Sequence, residues 1–510
     1  MSPVPTRLAV AAPNRSCADA AVAVADLGGG AVDCAVAAML VAMATEPGVV
    51  SLDAGAFVTV WPDGGEAVTV DGHVAMPGLG RAVGAPAVAR EVTTGYGGGV
   101  TMTVGHGSVA TPGALAALDL AQSRFGRLPW REVVAPAESV AREGFALGSS
   151  SGYYLPYVRE GVFGWDPQTA AVLHGPQGRW LETGDRMVLR DLADTLALVA
   201  ADGARTMYVG ALAEAVAADM AERGGRLTRE DLAAYRPVLR PALGFRSGSW
   251  TLRTNPAPAI GGPVLAAMLT MLGDPPSPAG ATEDVARLVA VVRRVLTWRR
   301  DRLDVASDRE QAARALLADA GVGGERSPST VHVSVVDQGG TACAVTASSG
   351  YGSGVTVPGT GLWLNNCLGE HELNRGDPPP PGARLASNMA PTVGRGADGG
   401  VLAIGSPGAD RITTALAQVL AAFTTGRAGL QEAIDRPRLH VHLDKGSARV
   451  EAEEDMPLPE LDLPVRRHAP HSMFFGGVSA ALRDGGRLLS AAGDPRRAGA
   501  VAVSRAPRTG

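Results

Sequence analysis

The stretch Thr330-Val331-His332-Val333-Ser334-Val335-Val336-Asp337-Gln338-Gly339-Gly340-Thr341-Ala342-Cys343-Ala344-Val345-Thr346-Ala347-Ser348 decides how this chain is read. Two runs rich in Val, Ala and Thr flank a Gln-Gly-Gly turn, which predicts a β-hairpin. A three-residue loop at Gln338–Gly340 pairs Asp337 with Thr341 and puts Thr330 opposite Ser348. A two-residue loop puts Ala347 there instead, because a one-residue slip exchanges the faces of a strand. The preceding residues 323–329 read as a loop. A threonine at this junction either starts a strand, where threonine is common, or is a nucleophile held inside a peptide bond. Scission of the Ser329–Thr330 bond would free an α-amino group with an ordinary pKa of about 7.7–8.0. Hydroxyl and general base would then share one residue, the N-terminal-threonine form of nucleophile activation. The Ser348 hydroxyl would tune that base in the first register, or be a serine at a strand end.

Working outward, the chain has 510 residues, 46% of them apolar, enough for a large core. Aromatics are only 4%, so Ala, Val and Leu must build that core. The 66 glycines and 36 prolines are dispersed, which fits many turns rather than collagen or bulk disorder. A net charge of −5 without a dense basic run argues against nucleic acid as a partner. Lys445 is the only lysine. Cys17, Cys34, Cys343 and Cys367 form no CxxC pair, so neither a zinc nor a redox motif is supported. The N-terminus lacks a secretory pattern, and the Ala-rich run Ala35–Ala44 is too short to span a bilayer. A soluble cytoplasmic protein without metal, cofactor or membrane partner is expected.

Helices are predicted over Ala18–Ala25 and Ala31–Ala44, from Pro112 to Ala121, over 130–145 and 190–224, from Thr228, and over 282–319. Phe57–Trp61 and Ala67–Asp71 form a hairpin pattern; Val401–Gly405, Val478–Leu482 and Ala500–Ser504 read as strands. Arg411–Phe423 is an amphipathic helix. Helices early and strands late suggest antiparallel sheet layered with helices, not a βαβ nucleotide fold.

Gly405-Ser406-Pro407-Gly408-Ala409-Asp410 joins a strand to the Arg411 helix, where backbone N–H groups can hold an oxyanion. Leu364-Asn365-Asn366-Cys367-Leu368-Gly369-Glu370-His371 and Ser387-Asn388-Met389-Ala390-Pro391-Thr392 would read a polar substrate or form capped turns. His440 and His442 share a strand face without a third ligand and read as structural.

These motifs together resemble the γ-glutamyltranspeptidases, which are N-terminal-nucleophile hydrolases. The likeness also includes Gly30 to Ala37, Ala110-Thr111-Pro112-Gly113, Arg127-Leu128-Pro129-Trp130, Leu227 through Tyr235, Phe475-Gly476-Gly477-Val478 and Gly493-Asp494-Pro495-Arg496-Arg497. The resemblance implies an α/β (α+β) fold, a four-layer αββα sandwich with two stacked, mainly antiparallel sheets. It implies self-cleavage before Thr330 into pieces 1–329 and 330–510 that stay together. Thr330 would attack a small-molecule acyl donor, and water or an amine would accept the acyl group. Ser348 aligns with the hydroxyl partner of the nucleophile, and Gly408 and Ala409 with the oxyanion donors; alanine costs little there, since the backbone donates.

Departures from the family pattern are equally specific. The arginine that holds a substrate carboxylate is His73 here, which lacks the guanidinium fork. An asparagine becomes Gly350, a Gln or Glu becomes Cys367, the aspartate for the substrate amino group becomes Glu370, and paired serines become Ser387 and Asn388. Ser51–Ala56 replaces a glycine-rich stretch. The expectation is an autoprocessing acyl-transfer or hydrolytic enzyme whose substrate has moved away from γ-glutamyl compounds, by analogy toward amide or C–C hydrolysis in specialised metabolism. One alternative is a genuine γ-glutamyl hydrolase or transferase using Arg81 or Arg90 for recognition. The other is an unprocessed, non-catalytic homologue.

Overall fold

The computed structural model describes residues 4–82, 85–274, 282–321, 331–444 and 447–504. Thr330, the Ser329–Thr330 bond and Lys445 lie outside the described residues. Two antiparallel sheets stack face to face. The first has the order Ala500–Val503, Leu8–Ala12, Val331–Asp337, Ala342–Ser348, Gly55–Trp61, Val68–Gly72 and Val238–Pro241. The second runs Leu489–Ala492, Ser479–Arg483, Val401–Gly405, Thr392–Gly396, Trp250–Thr254 and Leu243–Ser247.

The period of two in strand Val331–Asp337 explains the layering. Val331, Val333 and Val335 belong to the core shared with the buried helix Ala31–Thr45. Val336 belongs to the core between the sheets, with Ala9, Ala342, Ala344, Ala403 and Ala481. His332 and Ser334 also face the second sheet: Ser334 Oγ donates to Ser479 O at 3.2 Å. Helices Gly261–Leu272 and Ile412–Thr424 pack on the outer side of that sheet. The result is the expected αββα sandwich.

The hairpin takes the three-residue loop. Val336 pairs with Ala342 and Val331 with Ala347, while the Asp337 N–H donates to Thr341 O. Asp337 fixes the turn by accepting from the Gly340 and Thr341 N–H groups at 2.9 and 3.0 Å. Asp33 braces the adjoining helix layer, accepting from Gly30 N, Arg127 N and Gln122 Nε2 at 2.8–3.0 Å. Thr228 caps its helix through the predicted box with Asp231.

Several boundaries differ from the sequence reading. The helix expected from Pro112 begins at Ala114, with Gly113 as its cap, because Thr111 is still paired to Ala75. The 190–224 helix breaks into Arg190–Asp202, Thr206–Val209 and Ala211–Glu222, interrupted at Gly203 and Gly210. Early strands are also more numerous than expected: Leu8–Ala12, Val238–Pro241, Leu243–Ser247 and Trp250–Thr254 all join the sheets. Among the described residues, no helix is long and apolar enough to cross a membrane.

Candidate active site

The ends of strands Val331–Asp337, Ala342–Ser348 and Val401–Gly405 converge on two adjoining narrow cavities. One is lined by Val331, His332, Pro407, Ser479 and Arg497; the other by Gly350, Tyr351, Gly408, Ala409 and Arg497. The Gly405–Ala409 loop supplies the donors. Gly408 has φ +133° and Ala409 φ +54°, a twist that leaves both N–H groups without a partner among the described residues. Alanine at a left-handed position carries a backbone cost of roughly 1–2 kcal/mol. The expectation that Ala409 costs little therefore needs correction: the donor is kept, and the Cβ is strained.

The loop is braced from behind. Ser406 Oγ accepts from Gly477 N at 3.1 Å, and the Arg411 Nε donates to Phe474 O at 3.0 Å. Val478 N donates to Asp494 Oδ2 at 2.7 Å, and that carboxylate pairs with Arg438 at 2.7 Å and Arg496 at 3.2 Å. Glu453 completes this fully buried quartet through Arg496. Sequence reasoning reached Asp494 and Arg496 only as part of a motif and missed Arg438 and Glu453. A buried ionic group implies a partner, but the sequence alone does not say which residues meet.

Ser348 is buried at the end of its strand, and its Oγ accepts from Gly350 N at 3.0 Å. Gly350 has φ +65°, and a Cβ there would lie 2.3 Å from Asn366 Oδ1 and 3.2 Å from Glu370. No asparagine fits at 350 without displacing them, so this departure is built into the turn. Asn366 Oδ1 instead accepts from Tyr351 N at 2.6 Å. Glu370 is buried, its Oε1 without a partner among the described residues. Burial, with the nearby Glu372 charge, pushes its carboxyl well above the usual range. Cys367 lies against it, and burial pushes the thiol up, so it is no thiolate nucleophile at neutral pH. Asp53 accepts from Asn365 N and Nδ2 at 2.9 and 2.7 Å, and burial raises it to about 8.

His73 stands apart from both cavities. Its Nε2 contacts Ala386 O at 3.1 Å, its ring stacks on Phe57 at 5.6 Å, and Nδ1 has no partner among the described residues. Burial lowers its pKa to about 4, so the imidazole is neutral at pH 7 and offers no cation to a carboxylate. Ser387 and Asn388 follow Ala386 directly; Ser387 Oγ and Asn388 Oδ1 are buried without partners among the described residues. Arg81 and Arg90 are held by the backbone carbonyls of Gly225 and Gly161, and neither lines the two cavities. His440 is a core histidine, with Nδ1 3.1 Å from Thr414 Oγ1. His332, not singled out from the sequence, bridges Thr346 and Ser334 at 2.8 and 2.7 Å; burial holds it neutral, at about 3.

A stacked-sheet sandwich with an open backbone-donor loop at the strand ends defines the class of N-terminal-nucleophile folds. The family profile described as Gamma-glutamyltranspeptidase matches residues 17–321 and 272–504, so the chain belongs to that family of hydrolases and acyltransferases. It is 30% identical over 445 residues to the Acylase ACY 1 proenzyme of Pseudomonas sp. (strain SE83), covering 81% of this chain and 78% of that one. It is 26% identical over 472 residues to the Glutathione hydrolase proenzyme of Escherichia coli (strain K12), covering 83% and 79%. The fold matches the crystal structure of cephalosporin acylase from Bacillus halodurans with a TM-score of 0.79 at 22% identity, over 98% of this chain and 96% of that one.

Proposed function

We propose that the chain is a proenzyme that cleaves its own Ser329–Thr330 bond, and that Thr330 then serves as the N-terminal nucleophile. The α-amino group takes the Thr330 Oγ proton as Oγ bonds to the acyl carbon of the donor. The Gly408 and Ala409 N–H groups stabilise the resulting oxyanion, and Ser348 tunes the amine. The leaving group departs with a proton, and water or an amine releases the acyl group from the threonine ester. The observation that carries this reading is the pair of N–H groups, unpartnered among the described residues, beside the end of strand Val331–Asp337. The Val331–Ala347 register is also the one that a Thr330–Ser348 pairing requires.

The acyl donor in this proposal is not an ordinary γ-glutamyl compound. Neutral His73 replaces a guanidinium, and an unpaired buried carboxylate contact would cost binding on the order of 2–5 kcal/mol. Amide hydrolysis is the first candidate, supported by the named acylases among its relatives; C–C hydrolysis in specialised metabolism is the second candidate chemistry.

Intact-mass measurement tests the reading. Wild type is expected as two chains that sum to 52.0 kDa plus one water, and Thr330→Ala as one chain. Cleavage of the variant at the same bond would sink the nucleophile assignment. Turnover of γ-glutamyl-p-nitroanilide with saturation at micromolar substrate would sink the substrate part alone.

A further inference from the structure

Arg497 is the one residue that lines both cavities and has a guanidinium without a hydrogen-bond or ion-pair partner among the described residues. Val49 also lines both but is apolar. The Arg497 stem is fixed by close approach to Gly477, where a Cβ would lie 2.5 Å from Arg497 Cγ. Its Nε is buried and unsatisfied. The acidic groups around it are engaged elsewhere. Asp494 is held by Arg438, Arg496 and Val478 N. Glu46 accepts from Asn14 Nδ2 at 2.7 Å and Ser151 Oγ at 3.1 Å. Burial raises Glu46, and attraction to the Arg497 charge works against that rise without a hydrogen bond or ion pair between them among the described residues.

A second observation sits beside this cation. Five of the chain's seven tyrosines gather here, in a chain only 4% aromatic. Tyr96, Tyr154 and Tyr351 line the cavity; Tyr153 and Tyr157 pack on Tyr96 with ring centroids 6.3 and 5.8 Å away, and both open to solvent. Tyr96 and Tyr154 meet edge to face at 4.9 Å. Aromatic walls favour flat rings, and a free guanidinium favours a carboxylate through paired N–H donors.

We propose that Arg497 and the Tyr96–Tyr154 platform recognise a carboxylate carried on an aromatic or otherwise flat ring, on the amine side of the scissile bond. This placement rests on the proposed catalytic reading, with His73, Glu370, Ser387 and Asn388 on the acyl side. The chemistry suits a leaving amine, or an incoming acceptor, that is a ring-borne acid.

Calorimetric binding of 3-carboxy-4-nitroaniline and 4-nitroaniline to the purified wild type, Arg497→Gln and Arg497→Lys tests the proposal without requiring turnover. Wild type is expected to prefer the acid at least tenfold. The glutamine variant, which keeps the packed stem, should bring the two ligands within about twofold; the lysine variant should keep part of the preference. A wild type without preference, or a preference that survives Arg497→Gln, would overturn it. A protein that remains one chain and hydrolyses no amide, yet binds the acid in an Arg497-dependent way, removes the catalytic reading and leaves this site standing.

Discussion

Ala409 carries a conflict between local conformation and site chemistry. At φ +54° its Cβ is strained, yet the proposed role needs only its N–H. Glycine at this position would keep the donor and relieve the strain. The Ala409→Gly variant is expected to raise unfolding stability by about 1 kcal/mol, less the extra entropy of an unfolded glycine. Urea titration of the two proteins measures this, and a lower midpoint for the variant would show that the methyl group packs usefully. His73 shows the opposite relation between residue and site. Burial and stacking on Phe57 make it a good core residue and a poor anion receptor. The proposal that a recognition group is lost there rests on its identity, because histidine cannot reproduce the arginine fork. Its neutrality, by contrast, depends on burial that the sequence does not display.

At the scale of elements, the Gly405–Ala409 loop is only as rigid as what stands behind it. The buried quartet of Arg438, Glu453, Asp494 and Arg496 holds Val478, and the Gly476–Gly477 backbone holds Ser406 and Gly408. Asp494→Asn keeps the side-chain shape but leaves two guanidinium groups facing one remaining carboxylate. Breaking such a buried pair costs about 3–5 kcal/mol. The variant should therefore unfold at clearly lower urea concentration, and its kcat should fall more than its KM changes, because on the proposed reading the displaced donors act on the oxyanion. An unchanged midpoint together with unchanged kcat would show that the quartet does not brace the loop. Elements with strong periodicity or turn chemistry were legible before the structure: the 331–348 hairpin, the Thr228 box and the 412–424 helix. Leu8–Ala12 was not, because an apolar run of five residues buried on both faces has no alternation. The candidate site was read as a set of motifs. The strain at Ala409, the fit of Gly350 against Asn366, and the place of Arg497 between the two cavities depend on contacts between distant segments, which spacing along the chain does not encode.

At the scale of the molecule, the proposed cleavage point divides the sequence but not the sheets. Leu8–Ala12 lies between Val331–Asp337 and Ala500–Val503, with four register pairs to each. Gly55–Trp61 pairs with Ala342–Ser348 through seven positions, and Trp250–Thr254 pairs with Thr392–Gly396 through five. Each sheet is thus stitched from strands on both sides of residue 330, and each hydrophobic core is shared in the same way. Separating the pieces would strip the ladders of both sheets and expose those cores, which amounts to unfolding. The expected outcome is that two chains appear on denaturing gels while one particle of about the full 52.0 kDa, or a multiple of it, elutes under native conditions. The pieces should part only across the same urea range in which the helical circular-dichroism signal is lost. Dissociation well below that range, with secondary structure intact in either piece, would mean that the halves fold independently and that the interleaved sheets are not what holds them together.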